Sequence, residues 1–115
     1  MIRQFFEKAK ISIYSNEAYI RFLRKQGVHI GENCFIDKTA VFGTEPYLIN
    51  IGNRVRITRG CEFITHDGSL WVVRNLGLVD ERADFFGQIN IGDNTNIGWN
   101  TMIMPGIKIG KNCIV

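Results

Sequence analysis

The sequence predicts an all-β fold, a β-helix of six-residue repeats, with a short helical segment in front of it. Three observations support this prediction. The dipeptide Ile-Gly occurs five times in 115 residues, large apolar residues return at every sixth position, and asparagine returns three positions after several of those residues. A period of six arises neither from an α-helix nor from simple strand alternation, whereas stacked repeats of this length are typical of β-helices.

Residues 1–27 are predicted to be helical. Ser15 or Asn16 can cap a helix, and Gly27 stands where a left-handed C-terminal cap belongs. Apolar residues lie at or beside helical spacing between these caps: Tyr19, Ile20, Phe22 and Leu23. We expect this stripe to pack against the rest of the fold or against another subunit.

The β-helix is predicted over residues 28–115, in which each repeat supplies one short strand and one corner and three repeats close a triangular coil. The apolar positions that mark the repeat form three runs, Ile30, Ile36, Phe42; Ile51, Ile57, Phe63; and Ile91, Ile97, Ile103, Ile109, Val115. With stacked strands ~4.8 Å apart, about three coils make a prism about 15 Å tall.

Other positions of the repeat support the same fold. Four residues after most markers the side chain is small, β-branched or a thiol, and it shares the buried face of the strand with the marker. These residues are Cys34, Ala40, Val55, Cys61, Thr95, Thr101, Ile107 and Cys113. The asparagines tolerate the left-handed backbone of a tight corner, and they are Asn33, Asn94, Asn100 and Asn112. The three cysteines form no CxxC pair, so we expect reduced thiols rather than a zinc site or disulfides.

Two interruptions break the period. Three residues around Thr44-Glu45-Pro46 are inserted between Phe42 and Ile51, and residues 67–88 fit the repeat nowhere. We interpret the second as a loop leaving one corner of the prism, and loops of this length in a compact domain are usually functional.

Composition and charge exclude several classes of protein. No apolar run approaches the ~20 residues that a transmembrane helix needs, and charges near the N-terminus exclude a signal peptide there, so we expect a cytoplasmic protein with no integral membrane segment. The net charge is +3, with +4 in residues 1–26 and −1 in the remainder. We interpret the basic segment as a solvated helix face, since no base-stacking motif predicts nucleic-acid binding.

His66 is the leading candidate for catalysis because it lies at the root of the long loop, whereas His29 precedes the first marker and is predicted to face outward. The repeat, the loop and Thr65-His66-Asp67 together resemble the hexapeptide-repeat acetyltransferases, as does the segment from Ile91 to Gly110. Among these, the sequence is most similar to the maltose, galactoside and xenobiotic acetyltransferases and to the polysaccharide O-acetyltransferases.

The resemblance implies a left-handed parallel β-helix, a homotrimer with active sites between adjacent prisms, and acetyl-CoA as the co-substrate, with no metal expected. It implies that His66 is the general base that takes a proton from a hydroxyl of a sugar or polysaccharide precursor. The chemistry suits imidazole, which gains and loses a proton near neutral pH.

Further candidate residues could bind the acceptor or the acetyl-CoA donor. Asp67 or Glu45 could orient the imidazole or bind acceptor hydroxyls, and Glu45 lies in a Gly43–Ile49 segment that resembles the polysaccharide-modifying members. Trp71 and Arg74 could line the acceptor site or simply pack the loop. The resemblance places acetyl-CoA along corner backbone, where the candidates are Gly98, Trp99 and Gly106.

Alternatives remain open at this point. Val115 falls in mid-repeat, so we expect a truncated β-helix, and a non-catalytic assembly or binding module is the first alternative, because exposed coil edges can pair with another chain. An N-acetyltransferase of an amino sugar is the second. A carbonic anhydrase on the same fold would need a three-histidine zinc site, which the two histidines of the chain do not favour.

Overall fold

The computed structural model describes all residues from Met1 to Val115 and shows a three-sided coil of parallel strands. Nine short strands build its faces, and each ends on, or spans, a marker of the repeat. They are β1 (His29–Ile30), β2 (Phe35–Ile36), β3 (Ile49–Ile51), β4 (Arg56–Ile57), β5 (Glu62–Phe63), β8 (Ile89–Ile91), β9 (Asn96–Ile97), β10 (Met102–Ile103) and β11 (Lys108–Ile109). Two further strands, β6 (His66–Asp67) and β7 (Phe85–Phe86), lie outside the faces.

Strands stack on the same face once per coil. The first face has the order β1-β3-β8-β11, the second β2-β4-β9, and the third pairs β5 with β10, each in parallel register. Isolated bridges from Val41 to Glu62 and from Asn96 to Ile114 extend the third and second faces. The register aligns the markers in columns, as the period of six predicts: Ile30-Ile51-Ile91-Ile109, Ile36-Ile57-Ile97 and Phe63-Ile103.

The core is the inside of this coil. Markers from all three faces are buried, and Ile57 and Ile97 have no exposed surface at all. Phe42 and Phe63 stack with their ring centroids 4.9 Å apart and their planes 9° from parallel. Since aromatic rings and branched side chains fill the axis, burial of apolar surface is the main stabilising contribution.

The Ile-Gly dipeptide has a steric origin in this coil. A Cβ on Gly52 would lie 3.2 Å from the carbonyl carbon of Gly92, and one on Gly92 would lie 2.6 Å from that of Gly110. Neither glycine has a positive φ, so close stacking of successive coils selects glycine here. The corner asparagines do have a left-handed backbone, with φ of 53° to 58° at Asn33, Asn94, Asn100 and Asn112, and Arg54 shares it at 53°.

Two α-helices precede the coil, α1 (Ile2–Ser12) and α2 (Asn16–Gln26). The Ser15 hydroxyl accepts from the Ala18 amide at 3.1 Å, and Gly27 ends α2 with φ of 112°, as expected from the capping signals. The helix α2 buries Tyr19, Ile20 and Leu23 against the coil, whereas α1 has no buried residue. None of the helices has the length and apolar content that crossing a bilayer would require.

Residues 67–88 leave the coil as expected, but they are more ordered than the predicted loop. The strand β6 pairs antiparallel with β7, and the helix α3 (Leu70–Asn75) lies between them. A two-residue ladder and a six-residue helix lack the length over which periodicity becomes visible in a sequence. We call residues 67–88 the excursion. At the other interruption, a 3₁₀ turn covers Pro46–Leu48.

The three cysteines are free thiols. Cys34 and Cys61 are buried at positions of the repeat, and Cys113 is half-buried on the last coil. Burial raises the pKa of the Cys34 thiol above its ordinary value, so this thiol stays protonated and behaves as a small apolar group.

Candidate active site

Both interruptions of the repeat lie at the same corner of the prism, where the chain passes from the third face to the first. The insertion follows the bridge at Val41, and the excursion follows β5, one coil further along. Because successive coils stack, residues 20 positions apart in sequence become neighbours. The Cβ that Gly43 lacks would lie 2.9 Å from the carbonyl oxygen of Phe63. Stacking at this corner therefore brings Glu45 to His66.

Glu45 is a buried carboxylate, only 8% exposed, held by three polar partners. The hydroxyls of Thr44 and Thr65 both donate to its Oε2, the second over 2.8 Å, and its Oε1 lies 3.5 Å from Nδ1 of His66. The hydrogen bond from Thr44, then that from Thr65 and the proximity of His66, hold the pKa of Glu45 below its ordinary value despite burial. Glu45 is therefore ionised at neutral pH and places a negative charge beside Nδ1 of the imidazole.

The other side of the imidazole faces the excursion. Nε2 of His66 lies 3.1 Å from Oδ1 of Asp84, and the ring stacks on Phe86 at a centroid distance of 4.2 Å and an interplanar angle of 19°. Arg74 lies 3.7 Å from the same Asp84 oxygen and also donates to the carbonyl of Ala83. The imidazole is thus fixed in orientation by packing and by a carboxylate at each nitrogen.

Sequence reasoning missed Asp84 and Phe86. Both belong to the Ala83-Asp84-Phe85-Phe86 stretch that closes the excursion. The sequence contained a signal for both residues. A segment that leaves and re-enters the coil at one corner brings its two ends together. Asp84 could then have been placed near His66 by counting back from the first marker of the returning coil.

His66 remains accessible. Its side chain is 36% exposed, and a cleft of about 180 Å³ opens beside it, lined in part by Gly43, Glu62 and Ile64. An imidazole that is held at Nδ1 by an ionised carboxylate and open to a cleft can take a proton from a bound hydroxyl at Nε2. The arrangement is suited to general base chemistry.

The other acceptor-side candidates lie around this centre without touching the imidazole. Asp67 follows His66 on β6, is half-buried, pairs with Phe85 across the ladder and makes no hydrogen bond or ion pair with the ring. Trp71 lies on α3 with 64% of its surface exposed. Arg74 reaches the site through Asp84. Of the two carboxylates proposed to orient the ring, the structure places Glu45 against it.

The donor-side candidates divide between two corners. Gly98 and Trp99 follow β9, at the corner between the second and third faces, and Trp99 is 71% exposed. Gly106 follows β10 at the same corner as His66, and a Cβ on Gly87 would lie 2.5 Å from its amide nitrogen. The structure therefore brings Gly106 to the base of the excursion but leaves Gly98 and Trp99 on another edge of the prism.

The chain has no group of three or more His, Cys, Asp or Glu side chains placed to hold a metal ion. His29 lies on the first face, where its Nδ1 is 2.7 Å from Oδ1 of Asn50. His66 lies at a corner of the prism. The two histidines therefore do not form a shared site within one chain.

Comparison with known proteins gives one family match and several relatives. The family described as "Hexapeptide repeat of succinyl-transferase" matches residues 88–115. Protein CapG of Staphylococcus aureus is 46% identical over 88 residues, which are 74% of this chain and 49% of CapG. The galactoside O-acetyltransferase of Lactococcus lactis is 27% identical over 90% of this chain and 58% of its own length. A putative acetyltransferase of Schizosaccharomyces pombe is 30% identical over 76% of this chain and 40% of its own.

Solved structures share the fold. A hexapeptide-repeat acetyltransferase of Vibrio cholerae, complexed with acetyl-CoA, superposes with a TM-score of 0.70 and 23% identity over 93% of this chain and 67% of its own. A maltose O-acetyltransferase of Clostridium difficile gives a TM-score of 0.51 and 20% identity over 94% and 71%. The chain spans about half the length of the curated relatives it matches. The resemblance drawn from the sequence is confirmed.

Proposed function

We propose that this chain, similar in sequence and fold to the hexapeptide-repeat acetyltransferases, carries the acceptor side of an acetyltransferase site. The reaction moves an acetyl group from acetyl-CoA to a hydroxyl of a sugar or polysaccharide precursor. The main support is the geometry at His66, whose Nδ1 faces the buried carboxylate of Glu45. O-acetyltransferases among the relatives and acetyl-CoA in the Vibrio cholerae structure support the donor and the reaction class.

The reaction follows from the orientation of the imidazole. Nδ1–H donates to Glu45, which leaves the lone pair of Nε2 to take the proton of the acceptor hydroxyl as its oxygen attacks the thioester carbonyl. The tetrahedral oxyanion requires N–H donors, which corner backbone can supply. Collapse of this intermediate breaks the C–S bond, and the imidazolium returns its proton to the departing thiolate. No covalent intermediate on the protein is needed.

In this scheme Asp84 competes with the acceptor. Its Oδ1 lies 3.1 Å from Nε2 of His66, at the atom that the acceptor hydroxyl must reach. The hydroxyl therefore replaces the Asp84 carboxylate when the acceptor binds, and Arg74, 3.7 Å from that carboxylate, compensates its charge. Glu45 stays in place because the hydroxyls of Thr44 and Thr65 donate hydrogen bonds to its Oε2.

The positions of the donor-side candidates support a homotrimer of left-handed prisms. His66 and Gly106 share one corner, whereas Gly98 and Trp99 occupy another. One prism cannot bring two of its own edges together, but two adjacent prisms can. A site between copies would combine His66 of one copy with the Gly98-Trp99 corner of the next. We place this assembly in the cytoplasm, where acetyl-CoA is available.

The test compares two histidine variants. Acetyl-CoA turnover is measured with a panel of sugars and amino sugars for the wild-type chain, His66→Ala and His29→Ala. We expect His66→Ala to lower the rate by about 10²–10⁴-fold. We expect His29→Ala to leave it unchanged, since the ring of His29 forms its hydrogen bond with Asn50 on the first face, away from the corner of His66. Equal rates for the wild-type chain and His66→Ala would contradict the assignment of the base.

Calorimetry with CoA separates catalysis from a binding-module function. Saturable binding by both the wild-type chain and His66→Ala is the expected result, because His66 is assigned to proton transfer rather than to holding the donor. If the oligomer shows no turnover and does not bind CoA, the result would favour the non-catalytic module. Preferred turnover of amino sugars with an amide product would change the reaction to N-acetylation.

A further inference from the structure

The first helix has an apolar face that points away from the prism, and we infer that this face docks on an anionic lipid surface. Its residues follow the spacing i, i+3, i+4, i+7 and i+11, which is one side of an α-helix. They are Ile2, Phe5, Phe6, Ala9 and Ile13, the last at the C-cap. The four large ones are 64–81% exposed, and the rings of Phe5 and Phe6 meet edge to face at 5.9 Å.

The helix is held to the rest of the fold by its other side. Ile11 lies about half a turn away from the apolar face and packs against the core, and Nζ of Lys38 donates to the carbonyl of Ser12 over 3.1 Å. Amphipathic helices of soluble domains normally turn the apolar face inward. Here the attachment orients Phe5 and Phe6 outward, which is the orientation of a helix that lies on a membrane.

Basic residues flank the apolar face on both sides. Lys8 lies along one edge, and Lys10 and Arg3 lie about two turns apart along the other. Nε of Arg3 lies 3.7 Å from Oε1 of Glu7. The grooves along the helix continue this pattern. One groove is lined by Lys10, Arg21 and Lys25 together with Glu7, and the other by Lys8 and Lys38. Cations around an apolar strip complement the anionic headgroups of a bilayer.

The same charges disfavour a second copy of the chain as the occupant. If two copies packed α1 against α1, both edges of the seam would bring lysines together, whereas paired helices place opposite charges at their flanking positions. The acidic residue of α1, Glu7, is already beside Arg3 of its own helix. A lipid surface satisfies the apolar strip and both basic edges at once.

The experiment measures binding of the full chain to vesicles by co-sedimentation. The vesicles contain phosphatidylcholine alone or an equal mixture of phosphatidylcholine and phosphatidylglycerol. We expect binding to the mixture, weak binding to phosphatidylcholine and release from the mixture at raised salt. Phe5→Ser with Phe6→Ser should weaken binding by about tenfold per phenylalanine. Lys8→Gln with Lys10→Gln should weaken it by about fivefold per charge.

A matched control changes two exposed aromatic residues outside α1. Phe35→Ser with Tyr47→Ser removes aromatic surface that is 46% and 59% exposed, and this variant should bind like the wild-type chain. Because α1 buries no residue, the Phe5 and Phe6 variant should keep the wild-type circular dichroism. The inference is overturned if the wild-type chain does not bind the mixture or if the α1 variant binds equally well. It is also overturned if that variant lowers the molar mass in solution without lipid, which would identify a contact between copies.

Discussion

Glu45 shows how a single buried carboxylate links stability to the candidate site. The hydroxyls of Thr44 and Thr65 and the nearby imidazole hold its pKa below the ordinary value of 4.5 in the folded chain. A group whose pKa is lower in the folded state stabilises the fold above its unfolded pKa, and this contribution is lost as the pH falls through the folded pKa. The fold should therefore lose stability from about pH 4.5 downward.

This contribution is measured by comparing Glu45→Gln with the wild-type chain in urea unfolding. Near neutral pH the variant should be less stable by about 1–3 kcal/mol, since hydrogen bonds to a charged acceptor are lost. The difference should shrink as the pH is lowered below 4.5, because the wild-type carboxyl becomes neutral as well. Glu62→Gln is the control, with an exposed carboxylate on β5. A difference independent of pH would contradict the linkage.

His66 and the two carboxylates beside its ring, Glu45 and Asp84, should differ in their effect on catalysis. His66→Ala removes the base, and Glu45→Gln removes the anion that fixes Nδ1–H, so both should lower kcat, the first more strongly. Asp84→Asn removes a competitor for Nε2, so it should lower the KM for the acceptor and keep kcat within about tenfold. Steady-state kinetics with varied acceptor measure both parameters. A loss of kcat in Asp84→Asn as large as in His66→Ala would assign Asp84 a direct role.

Most corners of the coil contain a residue in the left-handed region, three positions after the marker. Four corners use asparagine, but Arg54 occupies the equivalent position with φ of 53°. A residue such as arginine adopts this conformation at a cost of roughly 1–2 kcal/mol, and asparagine does so more easily. Arg54→Asn should therefore stabilise the chain by about 0.5–1 kcal/mol in urea unfolding. Arg56→Asn, on the adjacent strand β4, should not stabilise it, because Arg56 stacks over Phe35 at 5.8 Å.

Close stacking of the coils predicts that a side chain added at Gly92 lowers the stability of the fold. Gly92→Ala would place a Cβ 2.6 Å from the carbonyl carbon of Gly110 and 2.7 Å from the amide of Lys111. Backbone atoms of the next coil cannot yield without a shift of the coil, so the variant should lose about 1–3 kcal/mol of unfolding free energy. Gly68→Ala is the matched control, since nothing lies within 4 Å of its Cβ position. Equal stability of the two variants would contradict the steric origin of the Ile-Gly motif.

The elements of the coil could be predicted from the sequence because their signal is repeated. Most markers are buried at their own face, so the period of six recurs many times along the chain. The excursion has no repetition, and the antiparallel pair of β6 and β7 depends on chain closure rather than on local pattern. For the same reason His66 could be proposed as a candidate from its position in the sequence, whereas Asp84 was missed. Glu45 was one of two carboxylates proposed to orient the ring, and coil stacking places its Oε1 3.5 Å from Nδ1 of His66.

For the whole molecule, cohesion is greatest in the middle coils and decreases toward α1. In a coil of this kind each repeat contacts mainly its neighbours, so stability depends on how many neighbours a segment has. Strands β3 and β8 have coils on both sides, and Ile49 and Ile89 are fully buried there. The helix α1 has no fully buried residue, and it is attached through the partly buried Ile11 and through the carbonyl of Ser12. The middle coils therefore form the cooperative core, and α1 is the element that can open locally.

Native-state hydrogen exchange would measure this gradient. The amides of Gly52 and Gly92 donate to the next coil over 2.9 Å and 2.8 Å, so they should exchange only by global unfolding. The amides of α1 should exchange at least about 10²-fold faster through local opening, since few contacts resist it. Equal protection in α1 and in the middle coils would show that α1 belongs to the cooperative core. Vesicles containing phosphatidylglycerol should slow exchange in α1 and leave Gly52 and Gly92 unchanged, because binding at one face stabilises only the element that carries it.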